Sequence, residues 1–489
     1  MNLARPLVRR FVERLERPAM ACEGEVWTGR ICLDRIGARM AALAAAGAQP
    51  DERIVVLSGR GNAFWCDMIA VWAAGGVGVP VVASMAAGHV DAVLDRAEPR
   101  LIIGGDDQIS GAFATLKRLD DDRRDGDANV LDRMVRREPA ETAAILFTSG
   151  STGVPKGVQL SHQALLHNAL GTASMLPTRS DDTLFIAIPF RFVSAVSHFL
   201  VTTLTGGCFA GTERTAMPAD LVDQLKAHGA TAFGGAPLQL RWIAEQMDDA
   251  ELELRWLMSS GDHLSSDIVE ALAETRCNPS VLAVYGLTEL AGRFCVLRPE
   301  LALEKNGAVG SPIPGLDLEL RGDDGRPVEV GEIGSVHARG VPVMDGYRRD
   351  EAATHAVIDD AGWFETGDFG VRDEEGFLFL RGRRDNVFKT SGLKVSGQLI
   401  ADALMRTGCF TDVAVFPVED PIAGHVACAY YCMPPERKLQ KGPVLRALRD
   451  SLPLNHLPQR FERLERIPRT ASGKIDRAAL AETIRGLVS

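Results

Sequence analysis

The sequence predicts an α/β protein with a large N-terminal domain and a smaller C-terminal domain. Up to about residue 380, short apolar strand candidates alternate with helical patterns, which is typical of parallel sheets covered by helices. From about Leu316 onward, closely spaced strands and Gly/Asp turns indicate a β-rich subdomain. A charged segment, Arg381–Asp385, then precedes a compact tail with its own strands and helix. We therefore predict two domains, at residues 1–384 and 385–489.

The element candidates follow the chain in order. Segment 3–15 has apolar residues at helical spacing and predicts an amphipathic helix. The uncharged stretch 68–90 is long enough to span a membrane, but its glycines and proline divide it into a helix, Met68–Ala74, and a strand, Val77–Val82. No membrane span is therefore expected. The other strand candidates are Ile54–Leu57, Ala144–Phe147, Leu184–Ile188, Ala230–Phe233, Val281–Tyr285, Leu316–Leu320, Ser335–Ala338, Phe377–Leu380, Val413–Val418 and His425–Met433, and Val444–Leu452 is a helix candidate.

Composition and charge are those of an ordinary soluble protein. Of 489 residues, 46% are hydrophobic and 24% are charged. The 54 Lys and Arg against 65 Asp and Glu give a net charge of −11, so nucleic acid is not an expected partner. Nine cysteines without a CxxC pair indicate neither a zinc site nor a disulfide framework, and reduced thiols favour a cytoplasmic location. An Arg-rich N-terminal transit peptide is the alternative, which Glu13 and Glu16 disfavour.

The strongest chemical signal is the segment Leu146–Gly157. An apolar strand runs into a loop that is dense in glycine and hydroxyl side chains and ends in Lys156. Backbone N–H groups, hydroxyls and a positive charge suit phosphate oxygens. The loop is not a Walker P-loop, because Pro155 stands five residues after Gly150, where that pattern needs its second glycine. A flexible linker is the alternative, but linkers do not usually follow a buried strand. The loop therefore predicts phosphate binding.

Four further motifs follow this loop in order. They are Tyr285–Glu289, Thr366–Asp368, Gly382–Asp385 with Lys389–Gly392, and Arg469–Asp476. With the loop Thr148–Gly157, this series resembles the adenylate-forming superfamily of acyl- and aryl-CoA synthetases, adenylation domains and luciferases. The resemblance implies an N-terminal adenylation domain of two α/β subdomains plus a β-rich subdomain, and a small mobile α+β C-terminal domain that carries a catalytic lysine. It also implies ATP, Mg²⁺, and CoA or the phosphopantetheine of a carrier protein.

The resemblance assigns the contacts with ATP residue by residue. Thr288 would bind the α-phosphate, and Glu289 would help to hold Mg²⁺, a cation that prefers oxygen ligands. Tyr285 would stack against adenine. Asp368 and Arg383 would contact the ribose. The other residues implied in nucleotide binding are Thr148, Ser149, Gly150, Ser151, Thr152, Lys156, Gly261 and Gly286. Outside this series of motifs, a Tyr-Gly pair or an Asp after Gly would indicate only a turn.

The tail motifs imply a catalytic lysine and a domain rotation. In this family the lysine that matches Lys474 bridges the substrate carboxylate and the α-phosphate, and stabilises charge as it forms. Without the family context, Lys474 would be a solvated surface charge. Asp385 matches the hinge about which the small domain rotates after adenylate formation. Gly392 and Lys394 match the face where the thioester forms, and Lys394 replaces the common arginine without its bidentate geometry.

The segment Ile188–Ser194 matches the acyl-pocket helix of the family. Amino-acid-activating relatives have Asp where this chain has Val193, so an α-ammonium group would be buried without a partner and amino acids are disfavoured. Small and apolar walls suit an aromatic or medium aliphatic acid, although Met258 is equally compatible with a plain core position. We interpret Arg293 as a salt bridge at the rim, with pairing to a second anionic group of the substrate as the alternative. The candidate pocket residues are Phe192, Val193, Gly234, Met258, Ser260, Val284 and Arg293.

Together the motifs predict an ATP-dependent carboxylate–CoA ligase that forms an acyl-AMP intermediate and then a thioester. The first alternative is a stand-alone adenylation enzyme that loads a carrier-protein thiol or forms an amide. The second alternative is a nucleotide-binding interaction protein with degenerate chemistry. His162, His198 and His263 have no partner at catalytic spacing, and we interpret them as structural or exposed.

Overall fold

The computed structural model describes most of the chain, in two compact units. The described residues are 2–82, 87–104, 116–119, 129–148, 155–213, 218–262, 264–383, 387–390, 393–420, 424–449, 452, 456–469, 475–476, 479–480 and 482–483. The first unit contains Met1–Leu318 and Ala338–Phe364, and the second contains Glu319–His337 and Glu365–Ser489. The predicted boundary residue Asp385 lies outside the described residues, so the division at 385 stays a prediction.

The elements of the described residues are numbered in chain order. The helices are α1 (Ala4–Glu13), α2 (Gly29–Ala45), α3 (Asn62–Ala73), α4 (Ala87–Ala97), α5 (Val130–Arg133), α6 (His162–Ala173), α7 (Val193–Thr205), α8 (Pro218–Ala227), α9 (Pro237–Gln246), α10 (Ser266–Ala273), α11 (Glu351–His355), α12 (Gly397–Arg406) and α13 (Lys441–Arg449), with short 3₁₀ turns at Thr288–Leu290 and Pro299–Leu301. The strands are β1 (Pro18–Cys22), β2 (Glu25–Thr28), β3 (Arg53–Leu57), β4 (Val77–Val81), β5 (Leu101–Ile103), β6 (Lys117–Leu119), β7 (Thr142–Thr148), β8 (Lys156–Ser161), β9 (Thr183–Ala187), β10 (Cys208–Thr212), β11 (Ala232–Gly235), β12 (Trp256–Ser260), β13 (Ser280–Leu287), β14 (Gly292–Leu297), β15 (Ala308–Pro312), β16 (Leu316–Arg321), β17 (Gly334–Gly340), β18 (Gly346–Tyr347), β19 (Phe364–Arg372), β20 (Leu378–Arg383), β21 (Val387–Thr390), β22 (Leu393–Ser396), β23 (Asp412–Asp420), β24 (Gly424–Cys432) and β25 (Arg460–Arg463).

The first unit contains two sheets. One has the strand order β18-β8-β7-β4-β3-β5-β6, in which β7, β4, β3, β5 and β6 run parallel and β8 forms an antiparallel hairpin with β7. Val55 pairs with Val79 in its centre, and both are buried, as expected for a parallel strand covered on both faces. The second sheet has the order β15-β14-β13-β12-β11-β9-β10-β1-β2, with a parallel run from β13 to β1.

Helices cover both faces of the second sheet. Apolar side chains of α8, α9 and α10 pack with Phe233 and Leu257 in one continuous core. On the opposite face, the ring of Phe199 in α7 stacks on Trp65 in α3, with 4.3 Å between ring centroids. Alternate residues of a strand therefore face two different helical layers.

The second unit contains a β-rich part and a compact α+β part. The strands β16, β17, β19 and β20 are adjacent in that order. The sheet β22-β21-β24-β23, with β25 added to β24, packs against α12 and α13. Ile400 and Leu404 of α12, Leu448 of α13 and Ala429 of β24 lie in this core. These two parts correspond to the β-rich subdomain and the α+β tail that the sequence predicts.

The structure confirms the strand candidates, with ends displaced by a few residues, and it corrects two predicted starts. The candidate Ala230–Phe233 begins later, as β11, because the Ala230 N–H still closes the end of α8 by donating to the Leu225 carbonyl at 2.9 Å. The candidate helix Met68–Ala74 begins earlier, at Asn62. Among the described residues, no helix combines the length and apolar character needed to cross a bilayer.

Asp67 lies inside α3 rather than before its start. Its carboxylate is fully buried inside the helix, where Arg39 Nε donates to Oδ1 at 2.8 Å and Arg60 Nη1 donates to Oδ2 at 2.5 Å. A buried carboxylate is tolerated when cations and hydrogen bonds compensate it. The charge that marks the edge of the uncharged stretch in the sequence therefore does not mark the edge of the helix.

Candidate active site

The predicted pocket residues of the second sheet lie near the carboxyl ends of its central strands. Gly234 in β11 pairs with Met258 in β12, and Ser260 at the end of β12 pairs with Val284 in β13. Since paired residues of parallel strands point to the same side, all four share one face of the sheet, the face covered by α7. Ligands of open α/β sheets bind beyond the carboxyl ends of the strands.

Phe192 and Val193 lie at the beginning of α7, which follows β9. Phe192 is 38% exposed, and the guanidinium carbon of Arg191 lies 4.4 Å from the centre of its ring. Gly261 follows β12 in an exposed turn with φ of +94°, a value that favours glycine. Their roles in binding stay predictions.

A tight turn after β13 holds Thr288 and Glu289. The turn passes through Ala291 and Gly292, which have φ of +57° and +134°. A Cβ atom on Gly286 would lie 1.9 Å from the Gly292 carbonyl oxygen, so the two backbones approach as closely as only glycine allows.

Asn168 of α6 fixes this turn by hydrogen bonds to its backbone. Its Nδ2 donates to the carbonyls of Leu290 and Arg293 at 2.8 and 2.6 Å, and its Oδ1 accepts from the Arg293 N–H at 3.2 Å. Asn168 is fully buried. One side chain therefore satisfies backbone groups on both sides of the turn and positions Thr288 and Glu289.

Glu289, Tyr347 and Lys156 form a connected group in the first unit. The Tyr347 hydroxyl donates to Glu289 Oε1 at 2.9 Å, and the Lys156 ammonium lies 4.6 Å from the centre of the Tyr347 ring. The backbone closes the same group, because the Met344 N–H donates to the Glu289 carbonyl at 2.8 Å. A cation, an aromatic ring and a carboxylate are thus brought together by β8, β18 and the turn after β13.

Lys156 stands at the end of the β7–β8 hairpin. It pairs with Thr148, so the hairpin presents the two predicted phosphate-binding residues side by side. The predicted residues of the intervening loop, Ser149, Gly150, Ser151 and Thr152, lie outside the described part of the chain. Lys474, Asp385 and Gly392 also lie outside it.

In the second unit, the two residues predicted to contact the ribose are paired on adjacent antiparallel strands. Asp368 of β19 pairs with Arg383 of β20. Asp368 is buried, and its N–H donates to the Thr366 hydroxyl at 3.1 Å, which in turn donates to the Val336 carbonyl at 2.9 Å. Lys394 lies in β22, where its backbone pairs with Lys389.

Arg293 is not at the rim, and its interpretation as a rim salt bridge is wrong. The side chain is 3% exposed, and its Nη2 lies 3.0 Å from Nδ1 and 3.2 Å from Nε2 of His198. Because His198 Nδ1 also lies 2.6 Å from the Ser194 carbonyl, Nδ1 carries the hydrogen that this carbonyl accepts. Burial, followed by the charge of Arg293, holds the pKa of His198 well below its ordinary value. Burial also lowers the pKa of Arg293 to about 10.

The sequence from residue 8 to residue 348 matches the family model described as AMP-binding enzyme. This chain belongs to the AMP-binding enzyme family. Similar members include the indoleacetate–CoA ligase of Aromatoleum aromaticum, which is 30% identical over 72% of this chain and 69% of that protein. The 2-succinylbenzoate–CoA ligase of Bacillus pumilus is 28% identical over 70% of this chain and 68% of that protein.

A solved structure shares the fold of this AMP-binding enzyme over nearly its whole length. The o-succinylbenzoate CoA synthetase from Bacillus subtilis, in complex with its acyl-adenylate intermediate, superposes with a TM-score of 0.83. It is 23% identical, and the match covers 97% of each chain. The same synthetase has also been solved with ATP and a magnesium ion. The predicted α/β class, with its large N-terminal and small C-terminal parts, is confirmed.

Sequence analysis of this AMP-binding enzyme missed Tyr347, Asn168 and the role of His198. Tyr347 and Asn168 reach residues that are 58 and 122 positions away, and no local pattern marks such partners. His198 is adjacent to the acyl-pocket segment, but only the fold places it against Arg293, 95 positions away.

Proposed function

We propose that this chain, an AMP-forming acid–CoA ligase, activates an aromatic or medium aliphatic acid and transfers its acyl group to CoA. In the first step a carboxylate oxygen bonds to the α-phosphorus of ATP, the bond to pyrophosphate breaks, and acyl-AMP forms. In the second step the CoA thiol loses its proton and attacks the acyl carbon, and AMP leaves. The observation that carries this assignment is the group formed by Lys156, Tyr347 and Glu289.

The first step brings two anions together, so positive charge must offset their repulsion. We assign Lys156 and Thr148, which end the β7–β8 hairpin, to the β- and γ-phosphates together with the loop between them. Thr288 is assigned to the α-phosphate. Tyr285 is buried at the end of β13 beside Phe294, with 5.8 Å between ring centroids, and is assigned to adenine.

Glu289 fits a role as a ligand of Mg²⁺. The described residues contain no group of three or more His, Cys, Asp or Glu side chains that could hold a metal ion alone. Mg²⁺ in nucleotide sites is commonly held by one or two carboxylates plus phosphate oxygens, so a single carboxylate is sufficient when ATP supplies the rest. The ion would neutralise phosphate charge, and the Tyr347 hydroxyl orients the Glu289 carboxylate toward that task.

We assign the ribose hydroxyls to Asp368 and Arg383, whose backbones pair across β19 and β20. Lys474 is assigned to the bridge between the substrate carboxylate and the α-phosphate. Asp385 is assigned to the hinge, and Gly392 and Lys394 to the face where the thiol attacks. These last four assignments are supported by the motifs that contain the residues.

The acceptor is proposed to be CoA because the similar curated relatives are CoA ligases. A stand-alone enzyme that loads a carrier protein or forms an amide shares every assigned residue of the first step, so only the acceptor separates the two functions. The experiment incubates the enzyme with ATP, Mg²⁺ and a panel of aryl and aliphatic acids, and adds either CoA or a carrier protein with its phosphopantetheine arm. We expect acid-dependent exchange of pyrophosphate into ATP, and acyl-CoA as the product. Thioester found only on the carrier arm would contradict the CoA assignment.

A further inference from the structure

Arg293 belongs to a buried polar cluster next to the strand that carries Gly234. The cluster consists of Ser197 and His198 of α7 and Arg293 of β14, all of which are at least 97% buried. A Cβ atom on Gly234 would lie 2.0 Å from His198 Nε2, and one on Gly292 would lie 2.9 Å from Ser197 Cβ. His198 therefore packs directly against Gly234 and Ser197 against Gly292, and His198 lies on the same face of the sheet as Met258, Ser260 and Val284.

The cluster contains a cation and unused hydrogen-bond donors, but no anion. Arg293 Nε and Ser197 Oγ are buried and have no hydrogen-bond partner among the described residues. Within that same part of the chain, no carboxylate forms an ion pair with Arg293, and its polar neighbour His198 is neutral. A buried guanidinium without a counter-ion is costly, and buried polar groups are normally satisfied.

We infer that Arg293 and Ser197 bind a second carboxylate of the substrate, so that the acid activated by this enzyme is a dicarboxylic acid. The inference rests on the proposed function and specifies its substrate class. A carboxylate accepts two parallel hydrogen bonds from a guanidinium, and it would supply the missing negative charge and accept from the Ser197 hydroxyl. The His198 ring packs against the guanidinium, since Arg293 Nη2 lies 3.0 Å from Nδ1 and 3.2 Å from Nε2.

The experiment compares acids that differ only by a second carboxylate. Pyrophosphate exchange is measured with butyrate and succinate, hexanoate and adipate, and benzoate and isophthalate, and the ratio of kcat/KM is taken within each pair. In the unmodified enzyme we expect at least one dicarboxylate to exceed its partner by on the order of 100-fold. In Arg293→Met we expect that ratio to collapse toward one, chiefly through a higher KM for the dicarboxylate. Arg293→Lys keeps the charge without the fork, so its ratio should lie between the two.

The melting temperature of each variant shows whether it folds, and its kcat/KM ratio shows whether it still prefers the dicarboxylate. If Arg293→Met does not fold, Ser197→Ala tests the same cluster without removing a charge, and its ratio should fall several-fold. An unmodified enzyme that prefers the monocarboxylate in every pair, or a ratio unchanged in the folded variants, would overturn the inference while leaving the ligase function in place. Exchange with no acid of either kind would instead overturn the proposed function, and the inference with it.

Discussion

Tyr347 connects the two charged groups of the candidate active site. Its ring lies beneath the Lys156 ammonium and its hydroxyl donates to Glu289, so one side chain contacts both the proposed phosphate-binding cation and the proposed Mg²⁺ ligand. Tyr347→Phe keeps the ring and removes only the hydroxyl. We expect adenylation to slow about tenfold, the effect of one hydrogen bond to a charged group. Since the loss acts through Glu289, the Mg²⁺ concentration needed for half-maximal pyrophosphate exchange should rise.

A structural role alone would not change the dependence on Mg²⁺, so an unaltered Mg²⁺ titration in Tyr347→Phe would contradict this assignment. Tyr431→Phe is a matched control, because that tyrosine is buried in the core of the second unit beside Phe410 and Phe461. Tyr347→Leu removes the ring as well and should lower the rate further.

At this scale the sequence reveals the residues that carry charge but not those that place them. Lys156 and Glu289 belong to motifs of consecutive residues, and such motifs can be recognised in a single sequence. Tyr347 and Asn168 act through hydrogen bonds to residues far away in the chain. The burial of Arg293 depends on the packing of α7 against β14, and arginine is on general grounds expected at the surface.

Among the elements, α6 joins the N-terminal helix region to the turn that carries Glu289. It begins at His162, whose Nδ1 accepts from the Leu3 N–H at 3.2 Å, and it continues to Asn168, which holds the turn. His162 is fully buried, and burial lowers its pKa to about 3, with the Arg137 charge adding to the effect. The folded protein therefore keeps this imidazole neutral where an unfolded chain would protonate it.

This difference predicts a loss of stability in acid. The pKa of His162 is lower in the folded state, so its full contribution is present above about pH 6.5 and is lost as the pH falls from there toward 3. His162→Asn keeps an acceptor for the Leu3 N–H and removes the titration. Between pH 7.5 and 5.0, the free energy of unfolding of the unmodified protein should fall by about 2 kcal/mol more than that of the variant. Urea denaturation at the two pH values measures it, and equal losses would contradict the predicted neutral state.

Element boundaries show where local patterns mislead. The apolar run at Ala230 predicts a strand, but its first residue is held by the end of α8 and the strand begins only at Ala232. The predicted helix starts at Met68, after Asp67, yet Arg39 of α2 and Arg60, just before α3, compensate the Asp67 charge and the helix continues through it. The end of the preceding helix decides the first case, and in the second Arg39, 28 positions away from Asp67, contributes a contact that no local pattern shows.

For the whole molecule, the order of the motifs predicts the family and the class of fold, and the family match from residue 8 to residue 348 contains the first two of the five motifs. The division into compact units is less visible. Residues 319–337 belong to the second unit and residues 338–364 to the first, so the chain passes between the units more than once. A single change in the pattern of strands and turns along the sequence cannot reveal that the chain passes between the units more than once. Strand pairing between distant segments decides this division.

The two half-reactions, measured separately in Lys474→Ala, provide the decisive experiment. We predict that the rate of acyl-AMP formation, measured by pyrophosphate exchange, falls by about a hundredfold or more, since one positioned donor to the developing charge is removed. Conversion of supplied acyl-AMP and CoA to the thioester should proceed at the rate of the unmodified enzyme. Lys438→Ala, which removes an exposed lysine of the same unit, should affect neither step. Equal loss of both half-reactions in Lys474→Ala, or loss of neither, would contradict the assignment of this lysine to carboxylate activation alone.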